Sequence, residues 1–179
     1  MNQKTVKLLI LWLALTVFML SWETANGLEE VASTSQSFGK GNAPKYELID
    51  IAKTKYKSRD LKGKVIIIDC WATWCKPCQK GIPELVKIRE KYRDRLVLFG
   101  VSYDETLESV QEYLKNNKVG QLMNYPIIFE PKLPAKFGDI PILPTTFILD
   151  KAGSIRFRHN GYVPMESLER NIEALLNEQ

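Results

Sequence analysis

The sequence has little cysteine and almost no histidine, and this shortage excludes several kinds of site. Its 179 residues include three cysteines and one histidine. A small secreted domain held by structural disulfides would carry an even number of cysteines spread along the chain, whereas Cys70, Cys75 and Cys78 fall within nine residues. One C-x-x-C pair with a distant His159 makes a poor zinc site, because no second pair completes four ligands. We therefore expect no metal, no cofactor, and a reactive cysteine pair beside one further thiol.

Strong charge of either sign is also lacking. The chain has 25 Lys and Arg against 21 Asp and Glu, a net charge of +4, and the basic residues are scattered through the predicted elements. Nucleic-acid-binding domains concentrate basic residues in one run or on one face, so we expect no nucleic-acid partner. A content of 45% hydrophobic and 26% charged residues is ordinary for one globular domain with a substantial core.

Long apolar runs are absent apart from one near the N-terminus. After Lys4 and Lys7, the thirteen residues from Leu8 to Leu20 form an apolar run, and Ala25-Asn26-Gly27 offers small residues at the positions that a signal peptidase inspects. Residues 1–27 are therefore predicted to be a signal peptide. The alternative is an uncleaved N-terminal membrane anchor, although this run is shorter than the roughly 17–25 residues that span a bilayer. Either interpretation predicts a periplasmic or otherwise extracytoplasmic domain.

The rest of the chain divides into a linker and one domain. Residues 28–42 are rich in Ser, Gly and Thr and have no apolar period, which predicts a linker. The domain, residues 43–179, is predicted to begin with a β-hairpin whose strands lie in Lys45–Ile51 and Thr54–Ser58. The elements that follow read β-α-β, α, β-hairpin, α, and this order predicts a mixed sheet with helices on both faces.

What the sequence does contain is a C-x-x-C pair between a predicted strand and a predicted helix. Val65–Asp69 is a β-branched run typical of a strand buried on both faces, and Gln79–Tyr92 carries apolar residues at three- and four-residue steps. Cys75 therefore falls near a helix start, where unpaired N–H groups and the helix dipole favour a thiolate. Because the thiolate is the attacking species in disulfide exchange, Cys75 and Cys78 are predicted to form a reactive pair that can close into a disulfide.

Several stretches of the chain together resemble one family. They are Trp71-Ala72-Thr73-Trp74-Cys75-Lys76-Pro77-Cys78, Pro83 five residues later, Leu143-Pro144-Thr145-Thr146-Phe147-Ile148-Leu149-Asp150, and Asp60-Leu61-Lys62-Gly63-Lys64. On these residues the chain resembles the thioredoxin-fold extracytoplasmic thiol–disulfide oxidoreductases of the TlpA/ResA-like family, over residues 43–178. The resemblance implies an α/β thioredoxin-like fold with a mixed central β-sheet flanked by helices and an N-terminal β-hairpin extension.

The resemblance also implies roles for the C-x-x-C segment. Cys75 resembles the attacking cysteine, at the exposed start of the helix, and Cys78 resembles the resolving cysteine that displaces the partner from a mixed disulfide. Pro77 has φ preset for a first helical turn, and Lys76 adds a positive charge that favours the thiolate. Trp74 is expected to lie exposed at the rim, so Trp74, Lys76 and Pro77 are candidates for substrate binding.

Pro144 resembles the cis-proline that faces the disulfide in this fold. In the family, the backbone beside it pairs with an extended substrate segment, so Leu143 and Pro144 are further candidates for substrate binding. The cis isomer is a minority conformation of X–Pro bonds and is implied here by the resemblance alone. The alternative is a trans proline at the start of an edge strand.

Asp69 stands six residues before Cys75, where thioredoxins keep a buried acid. A carboxyl group buried at a strand end has a raised pKa and can accept the proton of the resolving cysteine through a water. The alternative is a structural aspartate at the strand end. Gly81 departs from the family, which often has an acidic residue three positions after the second cysteine. If that acid tunes the cysteine pKa in the family, Asp69 is the candidate to do so here.

Cys70 and His159 are expected to take no part in the reaction. Cys70 is expected to be a buried, small hydrophobic residue, with a regulatory thiol as the alternative, and His159 is expected at the surface without a ligand role. Peroxiredoxin chemistry requires Thr three and Pro seven positions before the reactive cysteine, and Cys75 has Ala72 and Ile68 there. The sequence therefore argues against peroxidase chemistry at Cys75.

Together these features predict an enzyme, a protein disulfide oxidoreductase outside the cytoplasm, acting as a monomer. Its predicted partners are protein disulfide substrates, and the resemblance implies a membrane thiol electron donor, the direction of a reductase and a part in cytochrome c maturation. The direction itself cannot be read from the sequence, because relatives with one motif differ in reduction potential by about 100 mV or more. The alternative is a non-catalytic thioredoxin-fold binding module. Loss of a cysteine would favour that alternative, and both cysteines are present.

Overall fold

The computed structural model describes residues 34–37, 44–129 and 137–178. Within these ranges the chain forms eight β-strands, β1 (Thr34–Ser37), β2 (Glu47–Ile49), β3 (Lys55–Lys57), β4 (Val65–Trp71), β5 (Leu96–Ser102), β6 (Ile127–Phe129), β7 (Thr145–Leu149) and β8 (Ile155–Asn160). It also forms three α-helices, α1 (Lys76–Tyr92), α2 (Leu107–Asn116) and α3 (Met165–Asn177). In these ranges no helix has the length and apolar character needed to cross a bilayer. The predicted signal peptide or anchor, residues 1–27, lies outside the described residues.

Six strands form one mixed sheet in the order β1-β8-β7-β4-β5-β6. The central strand β4 pairs in parallel with β5 and antiparallel with β7, and all of its residues are buried, so the predicted mixed central sheet is confirmed. β4 runs to Trp71, two residues beyond its predicted end. It does so because Cys70 and Trp71 continue the parallel ladder opposite Val101 and Ser102. The loop that carries the C-x-x-C pair therefore begins at the carboxyl edge of the sheet.

The predicted N-terminal hairpin is confirmed. β2 and β3 pair antiparallel as a separate two-stranded sheet, with Glu47 opposite Lys57. The hairpin is joined to the main sheet at β6, where the backbone N–H of Ile51 donates to the carbonyl of Ile127 at 2.9 Å. The hairpin thus covers the outer edge of β6.

The three helices pack on one face of the sheet, contrary to the prediction of helices on both faces. All three contribute to the core that contains Ile67 and Trp71. For α1 and α2, the reason is that the connection between two parallel strands is right-handed. The chain moves across the sheet in one direction, from β4 through α1 to β5 and from β5 through α2 to β6. Two right-handed connections in the same direction place both helices on the same face. Among the described residues, the opposite face is covered by segments outside the three α-helices, through Leu48, Leu61 and Phe137.

Helix α1 begins at Lys76, three residues earlier than predicted. Cys75 is its N-cap residue, and the Cys75 Sγ accepts a hydrogen bond from the backbone N–H of Cys78 at 3.3 Å. Pro77 occupies the first turn, where a missing N–H has no cost. The buried face follows helical spacing through Cys78, Ile82, Leu85, Ile88 and Tyr92. Cys75 therefore lies at the cap, and Cys78 lies inside the first turn.

Residues 34–37 form a strand where composition predicts a linker. β1 pairs antiparallel with residues 157–160 of β8. Edge pairing uses only backbone N–H and C=O groups, and the side chains of Ser35–Ser37 are exposed. Such a strand carries no apolar pattern that composition could reveal. The rest of the predicted linker, 28–33 and 38–42, lies outside the described residues.

Candidate active site

Cys75 and Cys78 form a disulfide at the N-terminus of α1. The two Sγ atoms are 2.03 Å apart and the two Cα atoms 5.3 Å apart. The unpaired N–H groups of the first turn and the positive end of the helix dipole lie at this position. On reduction they stabilise the thiolate of Cys75, the residue at the cap. The structure thus brings together the two cysteines that were predicted to react.

The disulfide is less exposed than the sequence predicted. Cys75 is 4% and Cys78 is 2% exposed, whereas the neighbouring Trp74 is 66% exposed. Cys75 belongs to the core cluster beneath α1, and it also lines a surface groove. Cys75 therefore borders both the core and a surface groove whose lining includes Trp74.

The groove beside Cys75 has a volume of about 620 Å³. Four residues predicted to meet a substrate line it: Trp74, Lys76, Pro77 and Leu143. The rest of its wall was missed, and consists of Tyr103, Ile140, Pro141 and Ile142. The available signal was the apolar, proline-containing run that directly precedes Pro144. Most of this wall is apolar, so the groove can bury apolar side chains of a polypeptide.

The peptide bond between Leu143 and Pro144 is cis, which confirms the isomer that the resemblance implied. Pro144 is buried, and the groove beside Cys75 is lined by Leu143 and not by Pro144. The carbonyl of Pro144 accepts a hydrogen bond from the N–H of Gly161 at 2.7 Å. Of the two residues predicted to meet a substrate here, only Leu143 therefore lines the groove.

Asp69 is a buried acid on the face of the sheet that packs against α1. Its side chain is 4% exposed, and burial raises its pKa from 3.8 to about 7. The hydroxyl of Thr146 donates to the Asp69 Oδ1 at 2.8 Å, and this hydrogen bond alone acts to lower the pKa. Because the effect of burial exceeds that of the hydrogen bond, Asp69 titrates near neutral pH. A pKa near the working pH suits a group that exchanges protons.

Gly100 makes room for the large side chains beside Asp69. The two residues are partners across β4 and β5. A Cβ at position 100 would lie 3.1 Å from the indole nitrogen of Trp71 and 3.1 Å from the ring of Tyr125. Trp71 is fully buried, and burial together with the charge of Asp69 raises the pKa of Tyr125. The surroundings of Asp69 are therefore aromatic and buried, which is why its charged form is disfavoured.

Cys70 is fully buried, as predicted, and lies on the opposite face of the sheet from the disulfide. Burial, and then the charge of the adjacent Asp69, raise the pKa of its thiol. A thiol in this state is a poor nucleophile. These properties fit a buried hydrophobic residue better than a regulatory thiol.

His159 is buried, and the prediction of a surface position was wrong. Its side chain is 2% exposed, and its Nε2 lies 2.9 Å from the amide nitrogen of Asn171 on α3. Burial lowers its pKa. Its neighbours Arg158 and Asn160 are polar, which favoured a surface position, but α3 covers this end of β8 and β1 extends the sheet beyond it.

The position three residues after Cys78, where the family often has an acid, is part of a helix surface covered by Tyr162. A Cβ at Gly81 would lie 3.7 Å from the ring of Tyr162. The hydroxyl of Tyr162 donates to the carboxylate of Glu84 at 2.8 Å, and Lys80 lies over the same ring. An acid is therefore present one turn after Gly81, bound to a tyrosine.

Metal chemistry finds no support in the described ranges. Across residues 34–37, 44–129 and 137–178, no group of three or more His, Cys, Asp or Glu side chains is arranged to hold a metal ion. The expectation that the protein uses no metal or cofactor stays a prediction.

Comparison with known proteins places the chain in a family. A model of the AhpC/TSA family matches residues 40–158. The chain is 27% identical over 165 residues to the thioredoxin-like protein YneN of Bacillus subtilis (strain 168), covering 90% of this chain and 96% of that protein. It is 32% identical over 130 residues to the thiol-disulfide oxidoreductase ResA of Bacillus thuringiensis (strain Al Hakam), covering 71% of this chain and 72% of that protein. The crystal structure of a thiol:disulfide interchange protein of the thioredoxin family from Chlorobium tepidum TLS matches with a TM-score of 0.67 and 26% identity, covering 79% of this chain and 100% of that one.

These similarities confirm the thioredoxin-like fold and the family that the sequence resembled. The absence of peroxidase chemistry at Cys75 stays a prediction, since it depends on Ala72 and Ile68 and not on the family match. With its C-x-x-C disulfide at the start of α1, the chain belongs to the AhpC/TSA family and is a thioredoxin-fold thiol–disulfide oxidoreductase of the TlpA/ResA-like type.

Proposed function

We propose that the chain is exported from the cytoplasm and reduces disulfides of protein substrates with its Cys75–Cys78 pair. The observation that carries this proposal is the position of the disulfide, at a helix N-terminus and on the wall of an apolar groove. A thiolate is stabilised there, and the mostly apolar groove can bury side chains that flank the substrate cysteine.

The reaction proceeds in two exchanges. The thiolate of Cys75 attacks one sulfur of the substrate disulfide, a mixed disulfide forms, and the other substrate sulfur leaves as a thiolate. Cys78 then loses its proton and attacks the Sγ of Cys75. The mixed disulfide breaks, the second substrate sulfur leaves, and the Cys75–Cys78 disulfide closes. Two electrons have passed to the substrate, and a donor dithiol must return them before the next turnover.

Asp69 is the proposed acceptor of the proton from Cys78. It lies on the sheet face against which α1 packs, and its pKa of about 7 leaves a large fraction of carboxylate at neutral pH. A base is most effective when its pKa is close to the working pH. The hydrogen bond from Thr146 holds one carboxylate oxygen in place.

The substrate is proposed to bind in an extended conformation along the groove. The family resemblance implies that a substrate segment pairs with the backbone beside the cis-proline. The carbonyl of Pro144 is bound to Gly161, and the carbonyl of Ile142 accepts a hydrogen bond from the hydroxyl of Thr145 at 2.7 Å. The backbone of Leu143 is therefore the proposed pairing surface. Trp74, Lys76 and Pro77 form the facing wall.

Location and pathway follow from the N-terminal segment and the resemblance. Residues 1–27 combine a basic start, an apolar run and small residues before a cleavage point. We propose that this segment exports the domain, and that a membrane thiol donor reduces it in the pathway of cytochrome c maturation. Cell fractionation with sequencing of the mature N-terminus tests export, and a mature chain that keeps residues 1–27 would indicate the anchor.

Trapping tests the exchange chemistry. Cys78→Ser removes the resolving sulfur, so Cys75 is expected to remain covalently bound to substrate proteins as adducts that dithiothreitol releases. Cys75→Ser is the matched control and is expected to trap nothing, because Cys78 lies deeper in the helix. If Cys75→Ser traps and Cys78→Ser does not, the two roles are reversed. Absence of adducts and of insulin reduction by the unaltered chain would favour the binding-module alternative.

A further inference from the structure

The carboxylate of Asp104 binds the turn that precedes the reactive disulfide. Asp104 follows the end of β5 and is 3% exposed. The N–H of Thr73 donates to its two oxygens at 3.2 and 3.0 Å, and the Thr73 hydroxyl donates at 2.6 Å. The hydroxyl of Ser102 also donates, at 2.8 Å. Because hydrogen bonds to a carboxylate are about twice as strong as neutral ones, Thr73 is held firmly to the end of β5.

Two further hydrogen bonds fix the same turn from other directions. The N–H of Tyr103 donates to the carbonyl of Trp71 at 2.8 Å, which extends the contact between the loops after β4 and β5. The side-chain amide of Gln79 on α1 donates to the carbonyl of Thr73 at 2.6 Å. The N–H of Thr73 is thus bound by Asp104, and its carbonyl is bound by α1.

Trp74 is the next residue, and its position depends on this turn. Its side chain, 66% exposed, lines the groove beside Cys75 and also a second groove of about 490 Å³, which includes Gln79 and Asn116. A side chain with so much exposed surface has few packing contacts to orient it. Its direction is therefore set mainly by the backbone that leads into it.

We propose that Asp104 is a positioning residue, which clamps Thr73, fixes Trp74 between the two grooves and so sets how tightly a protein substrate binds beside Cys75. This role rests on the proposed function, since it concerns the affinity for a polypeptide. Asp104 acts through Thr73 and Trp74, and its effect is expected in KM for a protein substrate more than in kcat.

Asp104→Asn tests the clamp with little change of shape. Asparagine keeps one acceptor oxygen but replaces the other with a donor that faces the N–H of Thr73. We expect KM for insulin, used as a protein disulfide, to rise about tenfold, as the loss of a charged hydrogen bond implies. The rate with hydroxyethyl disulfide, which is too small to fill the grooves, is expected to fall less.

A double-mutant cycle tests whether the effect passes through Trp74. If it does, Asp104→Asn raises KM for insulin much less when Trp74→Ala is already present, because the two changes remove the same interaction. Thr73→Val, which removes the hydroxyl donor to Asp104, is expected to raise KM. Thr73→Ser, which keeps a hydroxyl, is expected to leave KM close to that of the unaltered chain. This pair keeps the test available if Asp104→Asn folds poorly.

Asp150→Asn is the matched control. Asp150 is also a buried carboxylate, 5% exposed, that accepts hydrogen bonds from two turn N–H groups, those of Ala152 and Ser154, at 3.0 and 2.9 Å. Its turn joins β7 to β8, and it lines neither groove. A merely structural role for Asp104 predicts that both variants change KM equally, and that result would overturn the proposal.

Two further outcomes distinguish a failure of the positioning role from a failure of the proposed function. An unchanged KM in both Asp104→Asn and Thr73→Val, beside an active unaltered chain, overturns the positioning role and leaves the proposed function standing. An unaltered chain that reduces neither insulin nor hydroxyethyl disulfide overturns the proposed function and the positioning role together.

Discussion

The hydroxyl of Thr146 donates a hydrogen bond of 2.8 Å to the carboxylate of Asp69, and the two residues are partners across β7 and β4. Thr146 stands two residues after the cis-proline, and Asp69 six residues before the reactive cysteine. One hydrogen bond thus links the segment that carries Leu143 to the buried acid beneath α1. Loss of the Thr146 hydroxyl is therefore expected to raise the pKa of Asp69 further.

The stability of the protein is expected to depend on the protonation of Asp69. Its folded pKa is raised from 3.8 to about 7, so the folded state holds a proton that the unfolded state releases. This contribution is fully present below about pH 4 and is lost as the pH rises through about 7. Asp69→Asn should therefore stabilise the protein more at about pH 8 than at about pH 5, measured by urea unfolding. The same gain at both pH values would contradict the raised pKa.

The Cys78→Ser variant is expected to show one reactive thiol, Cys75, and one inert thiol, Cys70. In Cys78→Ser, the thiol pKa of Cys75 should lie below the ordinary value of about 8.5, because the helix N-terminus stabilises its thiolate. Cys70 should resist alkylation in the folded state, since it is fully buried and its pKa is raised. The pH dependence of iodoacetamide labelling, with mass spectrometry to locate the label, measures both. A Cys75 no more acidic than free cysteine would remove the basis of the proposed mechanism.

Gly81→Ala is expected to stabilise the protein. Glycine in a helix interior costs about 1 kcal/mol relative to alanine, and Gly81 lies inside α1. The added Cβ would meet Tyr162 at 3.7 Å, an ordinary van der Waals contact. Thermal or urea unfolding should show the gain in stability. A loss of stability would mean that α1 and Tyr162 pack too closely to accept the added methyl group.

Gly100→Ala is expected to have the opposite effect. Its Cβ would lie 3.1 Å from atoms of Trp71, Tyr125 and Ile127, all of which are buried. Overpacking of this kind costs about 1–3 kcal/mol. The same unfolding measurement applies, and equal stability would show that the aromatic side chains around Asp69 can move aside.

The sequence predicted the parts of the fold that have a strong apolar period. The β-branched run of β4 and the spaced apolar residues of α1 identified the central strand and its helix, and the cysteines between them identified the site. Element ends were less certain. The start of α1 was misplaced because Cys75 caps the helix through its sulfur, and cysteine is not a residue that signals a cap.

Other features depend on tertiary structure and leave no local signal. The side to which α2 packs follows from the handedness of two crossovers, and the burial of His159 follows from α3. The role proposed for Asp104 required the loops after β4 and β5 to be brought together, which the sequence alone did not show. The cis isomer at Pro144 came from the family resemblance and not from its neighbours.

The polar strand β1 also protects the protein against aggregation. β8 contains Ile155 and Phe157 and would be an open border of the sheet if β1 did not pair with it. Unsatisfied N–H and C=O groups along such a border recruit strands from neighbouring molecules and promote aggregation. β1 replaces that border with a strand of four polar residues, Thr34–Ser37. A protein shortened to begin at residue 44 would lose this protection and would be prone to associate through β8.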